Sequence, residues 1–322
     1  MLFLLLIIVA LVGIFATTGA ADITVNDAYS AIMHKFFPDR YAPSWIAEVC
    51  IWNLRLPHII MGILAGICLG TAGATMQWAL KNPLASPYTL GISHTAVFGT
   101  SVAIIIGGAS IRGEAFMILG AAAIFALIAT AIILHISRRR WATPVRIVLL
   151  GIIMTLFISA LTTILMYFGE AEAVKEMVFW MVGDLSRSSW DVLAYMAGTI
   201  ILCAIPLLLL IFMPSLFGVD ERRIRTYAMF VASLLVAVTV CFTGTIGFIG
   251  LLAPHICRLV IGDDHRFVIP ISGLVGAVLL LGLDLVARTV ISPVILPVGV
   301  LTTLMGAPLL AYLIVREGRK AV

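Results

Sequence analysis

Two stretches decide the reading of this chain. They are Gly70-Thr71-Ala72-Gly73-Ala74-Thr75-Met76-Gln77-Trp78-Ala79-Leu80-Lys81-Asn82-Pro83-Leu84-Ala85-Ser86-Pro87 and Gly244-Thr245-Ile246-Gly247-Phe248-Ile249-Gly250-Leu251-Leu252-Ala253-Pro254-His255. Each follows an apolar segment rich in small residues and is expected to break it at Gly and Pro, close to a Leu-Ala element. Glycine carries no Cβ and proline no backbone N–H, so both loosen or end a helix. Such interruptions in both halves of a membrane chain point to a duplicated transporter with discontinuous helices.

The surrounding sequence is that of a membrane protein. Of 322 residues 62% are hydrophobic and 11% charged, with a mean hydropathy of +1.17. A soluble fold has no use for that much apolar surface, whereas a bilayer does. The longest polar-leaning run, about 21–55, holds too few apolar residues for a core of its own. The chain 1–322 therefore reads as one transmembrane domain, with halves 1–190 and 191–322. The net charge of +4 is spread over loops and forms no nucleic-acid patch. Cys50, Cys68, Cys203, Cys241 and Cys257 form no CxxC pair and read as small packing residues, and the six histidines show no metal-ligand spacing. The first apolar run, 2–17, lacks the preceding Lys or Arg of a signal peptide and is read as a span.

Hydropathy gives an all-α polytopic fold of about ten spans, near 2–17, 57–78, 90–107, 115–136, 145–168, 192–212, 228–243, 246–261, 267–290 and 297–315. Spans two to five and seven to ten form the expected inverted repeat. Spans seven and eight are separable only through a reversal at Gly244, Gly247 and Gly250. Ten spans put both termini on one side, whose loops carry 13 of the 20 Lys and Arg residues. The positive-inside rule makes that side cytoplasmic. Two outer segments, 23–52 and 170–190, have amphipathic helical spacing and fit surface helices or plain connectors.

Gly62, Gly66 and Gly70 recur every four residues and form one flat face on span two. Such a face fits either a moving, pathway-lining helix or static close packing. No carboxylate lies at mid-membrane depth; Asp284 and Arg288 sit one helical turn apart near the outer end of span nine, where they can pair. Ion-coupled carriers usually need buried ionisable groups, so their lack argues against a carrier working alone. None of the four lysines follows a glycine, so there is no P-loop. No nucleophile–base set or metal cluster offers catalysis.

The residues resemble the FecCD-type permease subunits of type II ABC importers, which serve iron-siderophore, haem and vitamin B12 uptake. The resemblance covers nearly the whole chain. It rests on Arg55-Leu56-Pro57 with the Gly-rich span, Gln77 and Asn82-Pro83-Leu84-Ala85-Ser86-Pro87; on Phe179-Trp180 with Gly183; on Gly247 through Pro254-His255 with Arg258; and on Asp284, Arg288, Gly299 and Pro308. It implies a homodimer in the plasma membrane of a prokaryote. Two ATP-binding subunits would sit on the cytoplasmic face and a substrate-binding protein on the outer face. No cofactor is expected in this chain, ATP and Mg²⁺ belonging to the ATPase.

The family's docking positions fall on Arg55, His58 and Arg288, where arginines would pair with acidic residues of the binding protein. The competing reading is interfacial snorkelling, or pairing of Arg288 with Asp284. His58 departs from the family's usual Arg. The family's ATPase contact maps onto Gly218, Val219, Asp220, Arg222, Arg223 and Arg225, in a cytoplasmic coupling loop near 213–225. About a dozen of that loop's usual residues are missing, so either the loop is short or the sequence lacks a segment. The pathway is expected along spans five and ten, at Ser159, Thr162, Thr163, Thr302 and Thr303; interhelical hydrogen bonding is an equal reading. The expected cargo is a metal chelate, namely a ferric siderophore, haem or cobalamin, with an oxyanion such as molybdate as the alternative.

Overall fold

The computed structural model describes every residue except 20–22, 87, 109–114, 140–141, 213–220, 292–293 and 321–322. The described residues form helices and connecting turns. The helices are α1 (Leu2–Thr17), α2 (Val25–His34), α3 (Trp45–Val49), α4 (Leu56–Leu80), α5 (Ile92–Ser101), α6 (Ala115–Ser137), α7 (Pro144–Phe168), α8 (Ala171–Met181), α9 (Trp190–Phe212), α10 (Glu221–Thr243), α11 (Ile249–Ile261), α12 (His265–Thr289) and α13 (Val298–Lys320). A π-helical turn, Cys50–Arg55, joins α3 to α4, and a second, Val102–Ile106, extends α5.

Among the described residues, six runs are long and apolar enough to cross a membrane: Trp45–Leu80, Phe116–Ser137, Pro144–Phe168, Trp190–Leu207, Arg223–Thr243 and His265–Thr289. Four shorter apolar runs are Leu2–Thr17, Ile92–Ile106, Ile249–Ile261 and Val298–Tyr312. Each of these ten runs overlaps one hydropathy span, although Trp45–Leu80 begins well before span two. The packing follows the expected repeat. Helix α4 packs on α10, α11 and α12, while α10 packs on α4, α5 and α6. Likewise α5 contacts α6 and α7, and α11 contacts α12 and α13. Exchanging α4–α7 for α10–α13 carries one set of contacts onto the other.

Helix α4 is the central element, buried on nearly every face. The reason lies in its small residues. A methyl added at Gly66 would fall 2.5 Å from the Ala277 Cα, and methyls at Gly70 and Gly73 would overlap the Ser272 and Gly250 carbonyl oxygens. Gly62 continues the stripe against the Leu281 side chain. Lipid is as apolar as leucine, so helices in a bilayer gain from such backbone approach rather than from apolar burial. Gly70 and Gly73 therefore do not break α4, contrary to expectation; the helix runs on to Leu80. It ends where Lys81 turns left-handed, followed by Asn82-Pro83. Gly250 likewise lies inside α11.

At the end of the bundle holding Arg55, Thr24 caps α2 and Ser44 caps α3. These short helices close a satellite cluster of Ala16, Ile23, Ala28, Ala31, Ala47 and Ile51. The second amphipathic segment forms α8, which ends at Met181, two residues before Gly183 with φ +45°.

Candidate functional site

Both interruptions start a short helix with a left-handed residue. Gly91 (φ +76°) precedes α5, and Phe248 (φ +64°) precedes α11. Neither helix has a side-chain cap at its N-terminus. The first interruption is a built turn. The Asn82 carboxamide oxygen accepts from the Leu84 N–H at 3.0 Å, and Ser86 and Thr89 exchange hydrogen bonds of 3.0 and 3.1 Å. Pro83 follows Asn82 in this turn, and Ala85 is fully buried in it. Pro87 lies outside the described residues.

The second interruption, from Gly244 to Phe248, is held by backbone. Gly244 has φ +69°, and a Cβ there would overlap the Trp180 carbonyl. The Asp184 N–H donates to Thr243 O at 2.8 Å, Thr245 Oγ1 donates to Met181 O at 2.5 Å, and the Gly299 N–H donates to Gly183 O at 3.0 Å. The end of α8, the reversal and the start of α13 are thereby tied together.

Between the two interruptions lies a cavity of about 390 Å³ lined by Tyr88, Val182, Thr245, Gly299, Val300, Thr303 and Leu304. Its described lining is mainly apolar and carries no charge, with Tyr88, Thr245 and Thr303 as the polar side chains. Gly247 faces Thr303 Oγ1, 3.6 Å from where a Cβ would sit. Pro254 and His255 are buried further along α11. The expected pathway residues divide. Thr303 lines the cavity. Thr302 is buried with its hydroxyl on Gly299 O at 3.0 Å, and Thr162 is buried with its hydroxyl on Ile158 O at 2.9 Å. Thr163 is exposed on α7 and Ser159 half-buried there, joined by a 2.9 Å bond from the Thr163 hydroxyl to the Ser159 carbonyl. Tyr88, directly after the first interruption, and Thr245, inside the second, escaped the sequence reading, which looked for lining only on continuous spans.

A profile of the FecCD transport family matches residues 2–316. The chain belongs to the FecCD transport family. A Methanocaldococcus jannaschii protein named as an ABC transporter permease is 41% identical over 97% of this chain and 93% of its own length. That match spans 337 positions, more than the 322 residues here, so the relative carries residues that this chain lacks. The vitamin B12 import system permease protein BtuC of Klebsiella pneumoniae is 36% identical, over 84% of this chain and 83% of its own. A solved metal-chelate type ABC transporter in an inward-facing conformation superposes with TM-score 0.83 at 26% identity, covering 98% of both chains. This FecCD protein is thus a permease subunit of a type II ABC importer, a transport subunit rather than an enzyme.

The residues expected to dock a binding protein are not on an open rim. Arg55 is buried, and its guanidinium donates to the Ala16 carbonyl beneath the α1–α3 layer. His58 Nε2 lies 2.7 Å from Asp284 Oδ2, and Arg288 Nε lies 3.3 Å from the same oxygen. Phe15 of α1 covers the group, stacking on His58 with ring centroids 5.4 Å apart and lying 4.5 Å from the Arg288 guanidinium. The expected Asp284–Arg288 pair forms, and His58 joins it.

At the opposite end Arg258 Nη2 donates to the buried Gln77 carboxamide oxygen at 2.6 Å, and Trp78 stacks on His265 at 5.0 Å. Gly218, Val219 and Asp220 of the expected coupling loop lie outside the described residues. Arg222, Arg223 and Arg225 belong to the first turns of α10 rather than to a loop, because no Gly or Pro interrupts Glu221–Thr243. Arg223 is exposed and Arg225 half-buried.

Proposed function

We propose that this chain forms one half of the membrane pathway of an ATP-driven importer that carries a metal chelate, such as cobalamin, a ferric siderophore or haem, into a prokaryotic cytoplasm. The observation that carries the reading is the uncharged cavity between two interrupted half-spans. Half-helix N-termini bring partial positive charge toward a midplane site without fixed ions. Uncharged walls with few polar side chains let a bulky chelate pass without tight binding. Relatives named as B12 permeases support the cargo class.

The exposed apolar faces of α7 and α13, equivalent under the repeat, support a homodimer with the pathway between copies. The excess of Lys and Arg at the end holding both termini supports a cytoplasmic orientation for that end and a site there for two ATPase subunits. ATP and Mg²⁺ reside on those subunits, which the start of α10, with Arg223 and Arg225, faces. A substrate-binding protein approaches the opposite end, where Arg55 and Arg288 serve docking once the α1–α3 layer shifts.

The test is uptake into proteoliposomes containing this chain with its ATPase and binding protein. Cobalamin, ferric hydroxamate, haem and molybdate are offered with and without ATP. ATP-dependent uptake of a chelate is expected. Uptake of molybdate alone would move the cargo to oxyanions, and uptake without ATP would overturn the importer reading.

A further inference from the structure

Helices α6 and α9 both pack on α10 and leave a groove between them at the end near α8. The groove has a volume of about 240 Å³. Its walls are Ile118, Leu119 and Val192, and its floor is Cys241 and Phe242 of α10. The outward faces of the flanking helices are apolar and exposed, with Phe116, Met117 and Ile124 on α6 and Tyr195, Ile201 and Leu202 on α9. In a bilayer such faces meet acyl chains.

One charged group stands among the described lining residues: Arg187, in the connection between α8 and α9. Its Nη2 donates to the Phe179 carbonyl at 2.7 Å, and its guanidinium lies 5.7 Å from the Trp180 ring centre. Its Nη1 is buried and has no hydrogen-bond partner. Burial lowers the Arg187 pKa, and the charge of Asp184 opposes that shift. The Asp184 carboxylate is itself engaged by the Ser186 N–H at 2.9 Å and hydroxyl at 2.8 Å. A charged N–H donor left dry beside an apolar groove is costly unless an anion reaches it. Trp180, buried beneath the Arg187 guanidinium, completes the lining.

The geometry points to a phospholipid site, with one acyl chain lying in the α6–α9 groove and the phosphodiester accepting from the Arg187 guanidinium at its wall. The two halves of the site match the two halves of one molecule. Arginine suits phosphate through directed N–H donors, and the groove supplies contact for a chain of the same leaflet. The floor of the groove is the end of α10, one turn before the Gly244 reversal. A bound lipid therefore braces α8 against the interrupted span that borders the cavity.

The test uses the full chain, with its partner ATPase, stripped of lipid in detergent and examined by native mass spectrometry. Three probes are titrated: dipalmitoyl phosphatidylglycerol, dipalmitoylglycerol without phosphate, and glycerol 3-phosphate without chains. One phosphatidylglycerol per permease chain is expected, with affinity falling at least ~10-fold in Arg187→Gln and in Leu119→Trp, which fills the groove mouth. Arg187→Lys is expected to retain part of the affinity. The lipid-induced rise in melting temperature, read within each variant, should vanish in Arg187→Gln and Leu119→Trp whatever their baseline stability. Equal retention in these variants and the parent would overturn the site. Dipalmitoylglycerol binding as tightly as phosphatidylglycerol would remove Arg187 from it, and glycerol 3-phosphate competing on equal terms would reduce it to a free-anion site.

Discussion

His58 and Asp284 meet across the α4–α12 interface at 2.7 Å, both almost wholly buried and 226 residues apart in the chain. Arg288 shares the same carboxylate oxygen, so one acid on α12 holds an imidazole from α4 and a guanidinium one turn along its own helix. Removing the acid strands both partners. Asp284→Ala is expected to cost about 3–5 kcal/mol, and His58→Ala about 1–3 kcal/mol because Arg288 still neutralises the acid. Denaturation in detergent should show the double variant to be less damaging than the two single costs together. Strict additivity would mean that the two groups do not interact.

The stripe on α4 makes a second forecast. Gly66→Leu and Gly73→Leu place side chains where the Ala277 and Gly250 backbones lie. Each is expected to lose at least ~3 kcal/mol, beyond the usual overpacking cost because the obstruction is backbone. Gly120, whose Cβ would meet nothing within 4 Å, is the control. Gly120→Ala should melt at or slightly above the parent temperature, since alanine favours a helix by about 0.5–1 kcal/mol. Melting temperature in detergent reads all three.

Gln77 offers a test of polar satisfaction. Its carboxamide oxygen takes a 2.6 Å bond from Arg258 while its Nε2 is buried without a partner. Gln77→Glu keeps the acceptor, adds a charge facing Arg258 and removes the unsatisfied donor. It should melt close to the parent, whereas Gln77→Leu should lose about 1.5–3 kcal/mol. The reverse order would show that the Nε2 donor is satisfied in the membrane.

The cavity predicts a separation of assembly from transport. Thr303→Trp fills the space between Tyr88 and Thr245 and is expected to cut ATP-dependent uptake more than ~10-fold, about 1.4 kcal/mol or more. ATPase binding should stay unchanged. Thr163→Val, on the exposed face of α7, should leave the monomer's stability unaltered, because its hydroxyl bonds only to the preceding turn. Uptake assays beside co-purification of the ATPase distinguish the two effects.

The spans were legible because apolar runs between charged loops have one cause, the thickness of the bilayer. Boundaries such as 2–17 and 145–168 return within a residue as α1 and α7. The glycine stripe was legible as a flat face but was misread at Gly70 and Gly73, since the pattern shows where backbones can approach and not whether the helix stops. The His58–Asp284 contact was encoded in that stripe. His58 precedes Gly62 by one four-residue step, and Gly66 and Gly70 meet Ala277 and Ser272 in antiparallel register. Continuing the register by two turns brings His58 to Asp284. Burial of Arg55 was not legible, because it depends on α1–α3 folding over the end of α4. The cavity was half legible: its location follows from the interruptions, but Tyr88 becomes a wall only once the turn from Asn82 to Thr89 has bent back.

The central place of α4 also constrains how the chain is made. Its small-residue face is completed by α12, which emerges from the ribosome roughly 10–40 s later at ~5–20 residues per second. During that interval the stripe faces lipid or a guardian in the insertion machinery. A nascent chain that stops after α9 would keep the stripe open, marking it for membrane proteolysis. Synthesis of the second half is in this sense the quality check on the first.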